Sequence, residues 1–169
     1  MENPSAASPR EVTPQTRVGE IMTRNVLTAT AETAVVDVVR LMAKNRITGL
    51  PVVDPDGRLI GVVSESDIIG KAGDTVADIM TNGSWTVNEE TTLGDAAEVM
   101  LRRRIRRLPV VSDDNELIGL LSRSDLISFF ANHVWTCSWC GKGYRGFYAP
   151  SVCTNCGGET FTIQAEETA

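Results

Sequence analysis

Four cysteines fall as two C-x2-C pairs, Cys137/Cys140 and Cys153/Cys156, with twelve residues between the pairs. Thiolates at that spacing suit a closed tetrahedral metal site, and Gly141 and Gly157, one directly after each pair, supply the tight backbone. Two disulfides or free thiols are the alternatives, and a reducing compartment favours metal over disulfides. Four thiolates suit zinc or iron, and ligand type alone does not separate them. Zn2+ is the expected ion, with Fe as the alternative. The stretch from Trp135 to Ile163 is too short to hold a core alone, so the metal should be its staple. His133, the single histidine, lies outside the pattern. Six of the nine aromatics lie between Trp135 and Phe161 and are read as a small core around the metal, with base stacking as the alternative.

A second cluster is basic. Five arginines occupy the six positions from Arg102 to Arg107, although the net charge is -6. Nucleic acid, a solvated helix face and a small phosphorylated ligand are the three candidate reasons. On a helical wheel drawn from Leu93, Arg102 lies opposite the apolar stripe and Arg103 near its edge. Arg104 falls within the stripe, so the helix should end there. Arg106 and Arg107 are then left in the loop before Leu108 and Pro109. Guanidinium groups grip phosphate in bidentate fashion. The acidic balance counts against a dedicated nucleic-acid binder.

The third group is a pair of S-x-x-D boxes, Ser64/Asp67 and Ser122/Asp125. Each reads as a helix cap. Each also puts a carboxylate beside a helix N-terminus, where amides suit phosphate or hydroxyl groups and the acid can accept from a ribose diol. Gly61 and Gly119 would let a ligand approach the backbone.

The elements that position these groups come from a duplication. Val18–Ile69 and Val76–Ile127 align without a gap at an offset of 58, with 23 of 52 positions identical. Each copy predicts β-α-β-β-α. In the first, an extended piece spans Asn25–Thr30 and a helix starts near Thr33, with Val35, Val38, Val39 and Met42 on one face. Pro51 should open a strand rather than sit inside it, and a turn at DPDG leads to LIGVVS. One copy buries little apolar surface, so the two should share a core. Arg106 and Arg107 replace Thr48 and Gly49 of the first copy, and Arg123 replaces Glu65. Even so, Val76–Ile127 has six Lys+Arg against nine Asp+Glu.

The motifs EIMT/DIMT, ITGLPVVD/IRRLPVVS and GVVSESD/GLLSRSD resemble a tandem pair of CBS domains, or Bateman module. The resemblance implies an α+β fold, two β-α-β-β-α repeats packed as a pseudo-symmetric pair. It also implies a cleft between the copies that takes an adenine nucleotide or S-adenosylmethionine, and pairing of two modules into a homodimer. Carried over, the nucleotide would meet Thr48, Gly49, Leu50, Pro51, Ser64 and Asp67 in the first copy. In the second it would meet Arg106, Arg107, Leu108, Pro109, Ser122, Arg123 and Asp125. The Asp would hold ribose, and the Ser would lie near ribose or phosphate. The first cleft, poorer in positive charge, is expected to be weaker, empty or suited to a less anionic ligand. The tail resembles a zinc ribbon, and more closely a rubredoxin-type domain, with Thr154 where that family usually has proline.

The expected layout is a disordered tail at 1–15, CBS domains at 16–73 and 74–131, a four-cysteine ribbon at 132–164 and a tail at 165–169. The start has no apolar signal region and no apolar run approaches a membrane span, so a cytoplasmic protein is expected. No nucleophile–base constellation appears, so no enzyme is expected. The expected function is a sensor of AMP, ADP or ATP with a metal site and an unidentified protein partner. The alternatives are a rubredoxin-like iron redox protein with a CBS sensor, and a nucleic-acid-binding regulator.

Overall fold

The computed structural model describes residues 16–165, which form two compact units, Arg17–Phe129 and the segment from Phe130 onward. The tails expected at 1–15 and beyond Ala165 lie outside the described residues.

The first copy runs α1 (Val18–Ile21), α2 (Val35–Asn45), β1 (Gly49–Val53), β2 (Leu59–Ser64) and α3 (Glu65–Gly70). The second runs α4 (Val76–Ile79), β3 (Thr81–Asn82), α5 (Leu93–Arg103), β4 (Arg107–Val111), β5 (Leu117–Ser122) and α6 (Arg123–Asn132). The short opening helices add to the pattern read from the sequence. The extended pieces appear as expected: Ala29 bridges Val52, and Val87 bridges Val110, both in parallel.

Helix α2 buries Val38 and Met42, four residues apart, as an amphipathic helix should. Its buried face is narrower than the apolar stripe, for Val39 is 40% exposed. Helix α5 buries Leu93, Ala96, Ala97 and Met100. It ends at Arg103, and Arg104 caps it in the left-handed conformation with φ 56°. Arg46 ends α2 in the same way, with φ 53°. These two arginines stand 58 residues apart, in a position usually given to glycine.

Pro51 lies in the middle of β1, opposite Val62, and Pro109 lies in the middle of β4, opposite Leu120. The expectation that proline must open the strand is corrected. The Pro51 carbonyl accepts from the Ala29 amide, and the Val53 amide donates back to Ala29. The missing amide hydrogen therefore falls on the Ala29 side, off the β1–β2 ladder. Val87 does the same for Pro109 and Val111.

The copies are interlocked. β3, from the start of the second copy, pairs with β2 of the first, Thr81 opposite Val62. Thr23, from the start of the first copy, bridges Leu120 in β5 of the second. Val76 and Ile79 of α4 accordingly complete the core of Val38, Met42, Leu50, Val52 and Val63. The exchange also explains two glycines. A Cβ on Gly61 would come within 2.6 Å of the Thr81 carbonyl oxygen, and one on Gly119 would collide with Met22 Sδ. These glycines admit the exchanged segment, not a ligand.

The two hairpins meet through equivalent residues. Arg58 bridges Glu116, the Leu59 amide donates to Asn115 O, and the Leu117 amide donates to Gly57 O. Each pair maps onto the other under the 58-residue offset.

The second unit is a three-stranded sheet in the order β7-β6-β8, from β6 (His133–Cys137), β7 (Gly143–Tyr144) and β8 (Phe161–Ala165). Trp135, Cys137, Cys153 and Phe161 form its buried core, with Tyr144, Ala149 and Ile163 packed against it. Trp139 is 75% exposed, so the aromatics of this segment are only partly a core.

Candidate functional site

Both S-x-x-D boxes form. The Ser64 amide and hydroxyl donate to Asp67 Oδ2 at 2.9 and 2.6 Å. The Ser122 amide and hydroxyl donate to Asp125 Oδ2, both at 2.7 Å, and the Asp125 amide returns to Ser122 Oγ at 3.3 Å. Each carboxylate is thereby fixed at the first turn of its helix, α3 or α6.

A cavity of about 340 Å³ opens between the copies. Arg107, Ser122, Ser124 and Asp125 line it from the second copy, and Thr23, Leu27, Arg46, Ile47 and Gly49 from the first. It combines an apolar wall with two cations and one carboxylate, which suits an anionic ligand with an apolar body. Arg107 Nη1 donates to Thr48 Oγ1 at 2.8 Å, so the guanidinium reaches from one copy to the other. Burial pulls the Arg107 guanidinium below its ordinary value, Glu65 acts the other way and Arg106 adds to the lowering.

The remaining arginines disperse. Arg102 pairs with Glu98 on α5. Arg103 stacks on Trp85 with 3.6 Å from Cζ to the ring centroid. Arg106 reaches Glu65 of the first copy at 3.5 Å. Arg123 Nε donates to Ile105 O at 3.0 Å. Of Arg106, Arg107 and Arg123, expected around one pocket, Arg107 alone lines this cavity. Leu50 and Leu108 are core side chains, 2% and 0% exposed, and Pro51 and Pro109 are buried, so these four do not face it. Neighbours in a strand point to opposite faces, and here β1 and β4 are buried on both.

The sequence reading missed Thr23, Leu27, Arg46 and Ile47. Their signal was the extended segment after EIMT and the helix end, both repeated in the second copy. It also missed Lys71. At Asp67 the second oxygen is engaged: Oδ1 accepts from Lys71 Nζ at 2.8 Å and from Thr81 Oγ1 at 3.1 Å. Burial works to raise the Asp67 carboxyl, but the bonds from Lys71, Ser64 and Thr81 outweigh it and hold it below the ordinary value.

In the second unit, all four cysteine sulfurs lie within 4.8 Å of one another. Cys137 and Cys156 Sγ are 3.7 Å apart, and Cys140 and Cys153 Sγ are 3.5 Å apart. A tetrahedron with metal–sulfur bonds of about 2.3 Å has edges of ~3.8 Å, so the donor set fits a tetrathiolate metal. Gly141 and Gly157, with φ 74° and 77°, donate their amides back to the Cys137 and Cys153 carbonyls at 2.9 Å. These are the two knuckles.

The Tyr144 hydroxyl donates to Cys153 Sγ at 3.1 Å and accepts from the Thr154 amide at 2.8 Å. Lys142 Nζ donates to Thr154 Oγ1 at 2.8 Å. The Tyr144 bond is the main reason the Cys153 thiol falls to about 6. The Gly158 amide works to lower Cys156, but Cys140, burial and the other sulfurs raise it to about 12. Four thiolates this close cannot all ionise without a shared cation.

A family model for the CBS domain matches residues 18–74 and 76–132, ending before the cysteines. The chain is 32% identical to CBS domain-containing protein CBSX1, chloroplastic, of Arabidopsis thaliana, over 65% of this chain and 62% of that protein. It thus spans less than two thirds of that relative. It is similar to the crystal structure of CBSX2 from Arabidopsis thaliana in complex with AMP, at 36% identity and a TM-score of 0.64, covering 66% of this chain and 93% of that one. It is also similar to the CBS domain pair of MJ0100 in complex with 5'-methylthioadenosine and S-adenosyl-L-methionine. There the identity is 27% and the TM-score 0.66, over 70% of this chain and 98% of that one.

Proposed function

The chain belongs to the CBS-domain family, and from that premise we propose that it is a non-enzymatic sensor of AMP, ADP or ATP. The ligand enters the cavity between the copies. The observation that carries this reading is the meeting of Asp125, Ser122 and Arg107 on one wall of that cavity. Asp125 Oδ1 accepts no hydrogen bond from another described residue and is available to a ribose diol. Arg107 offers its guanidinium to the phosphate, with Arg46 as the second cation. Leu27 and Ile47 supply apolar surface for the base. Bound AMP and methylthioadenosine in the similar structures support an adenosine ligand.

Thr48 and Gly49 take part through Arg107 and the cavity floor. Ser64, Asp67 and Arg106 belong to the equivalent first cleft, and Arg123 braces the loop at Ile105. The ligand acts by its differential affinity for two states of the copies. Ile69 and Ile127, equivalent on α3 and α6 and 85% and 69% exposed, give a repeated apolar surface for a homodimer or an unidentified protein partner.

Cys137, Cys140, Cys153 and Cys156 would hold Zn2+, or Fe as the alternative. Zinc would cross-link the knuckles and hold the ribbon folded. A tetrathiolate site of this kind would suit a reducing, cytoplasmic setting. Equilibrium dialysis with AMP, ADP and ATP tests the sensor reading. Saturable binding abolished in Asp125→Ala supports it, and binding indifferent to that substitution refutes it.

A further inference from the structure

The two clefts are related by the duplication, but their aspartates are not in the same state. Asp67 has no acceptor site left. Oδ2 takes the Ser64 amide and hydroxyl, and Oδ1 takes Lys71 Nζ at 2.8 Å and Thr81 Oγ1 at 3.1 Å. A carboxylate offers about four lone-pair positions, and here all four are used.

Lys71 is itself well held. Its ammonium donates to Ile79 O at 2.7 Å, with Met80 O at 3.4 Å and Thr81 Oγ1 at 3.5 Å. The cation sits among oxygens from α3 and from the exchanged α4–β3 segment. In the second copy the equivalent of Lys71 is Phe129, buried at 4%, and the equivalent of Thr81 is Thr23. Thr23 lines the open cavity and makes no side-chain bond to Asp125. The cation at Asp67 therefore traces to one residue, a lysine where the other copy has an apolar ring.

We propose that Lys71 is an internal occupant of the first cleft, satisfying Asp67 in place of a ribose diol, so that each chain binds one nucleotide, at Asp125. The proposal rests on the sensor reading above. A ribose hydroxyl approaching Asp67 must displace a charge-assisted bond with a neutral one, which is the weaker of the two. A ribose approaching Asp125 displaces nothing.

Counting sites by calorimetric titration with AMP tests this on the full chain. Wild type should bind one AMP per chain, and Asp125→Ala none. Lys71→Met in the Asp125→Ala background should restore one site. Lys71→Gln is a parallel variant, and circular dichroism confirms that each variant is folded. Two sites in wild type, one of them surviving in Asp125→Ala, overturn the proposal while leaving the sensor reading intact; one site in wild type that survives in Asp125→Ala overturns both. No recovery in either folded Lys71 double variant also overturns it. If wild type binds none of AMP, ADP and ATP, the Asp125 reading fails, and single Lys71→Met decides the rest: one gained site upholds the role of Lys71, and none removes it.

Discussion

The Tyr144 hydroxyl donates to Cys153 Sγ at 3.1 Å while accepting from the Thr154 amide at 2.8 Å. A proline at position 154 would have no amide to give. The departure from the rubredoxin-type pattern is thus what completes the hydroxyl's bonds. A phenol aimed at a thiolate stabilises its charge and orients the ligand. Tyr144→Phe should weaken retention of a metal at the four cysteines by about 10- to 100-fold in a chelator competition. Thr154→Pro should act in the same direction. Unchanged retention in both would show that the contact is incidental to the metal.

Metal removal should be visible at Trp135, which is 1% exposed within the cysteine-linked core. Chelation should shift its fluorescence to longer wavelength as the ribbon opens. The same shift should appear as pH falls, because protons compete for the thiolates. The Arg17–Phe129 unit has a separate core and should keep its thermal transition. A chelator that strips stoichiometric metal without moving the emission would contradict the staple.

Arg107 should read phosphate, not adenosine. Arg107→Ala should reduce AMP affinity by about 10- to 100-fold, the range for losing a bond to a charged group, and leave adenosine binding nearly unchanged. Arg107→Lys should recover only part, since the fork is lost. Equal losses for AMP and adenosine in titrations would assign Arg107 a structural role instead.

Asp67 gives a pH-dependent stability. Its folded carboxyl is held low: burial opposes this, and the bonds from Lys71, Ser64 and Thr81 prevail. Its stabilisation is therefore complete above the ordinary carboxylate value of about 3.9 and is lost as pH falls through the lower folded value. Asp67→Asn should cost about 1 kcal/mol at neutral pH, a modest figure because Lys71 is 43% exposed. The gap between the two melting curves should close in acid. A gap that persists in acid would place the effect in packing rather than charge.

The duplication was legible because 23 of 52 positions repeat at one offset, and the knuckles because cysteine and glycine spacing states them directly. The interlocking was not. An offset says that Thr23 and Thr81 are equivalent, not that each pairs with the other copy's sheet. For the same reason Arg106, Arg107 and Arg123 looked like one cluster, whereas the fold sends Arg106 to Glu65 and Arg107 to Thr48. Pro51 escaped because its tolerance depends on which side Ala29 occupies. Lys71 was readable in part: it stands four residues after Asp67, at the C-terminal end of α3, a spacing that pairs opposite charges.

Thermal denaturation with AMP, ADP and ATP asks whether the cavity bearing Asp125 and Arg107 binds an adenine nucleotide. At 100 times its dissociation constant a ligand stabilises by about 2.7 kcal/mol. A rise of several degrees is expected with at least one of these nucleotides, absent in Asp125→Ala. No shift with any of the three at millimolar concentration, in a protein that is folded and metal-loaded, would contradict it.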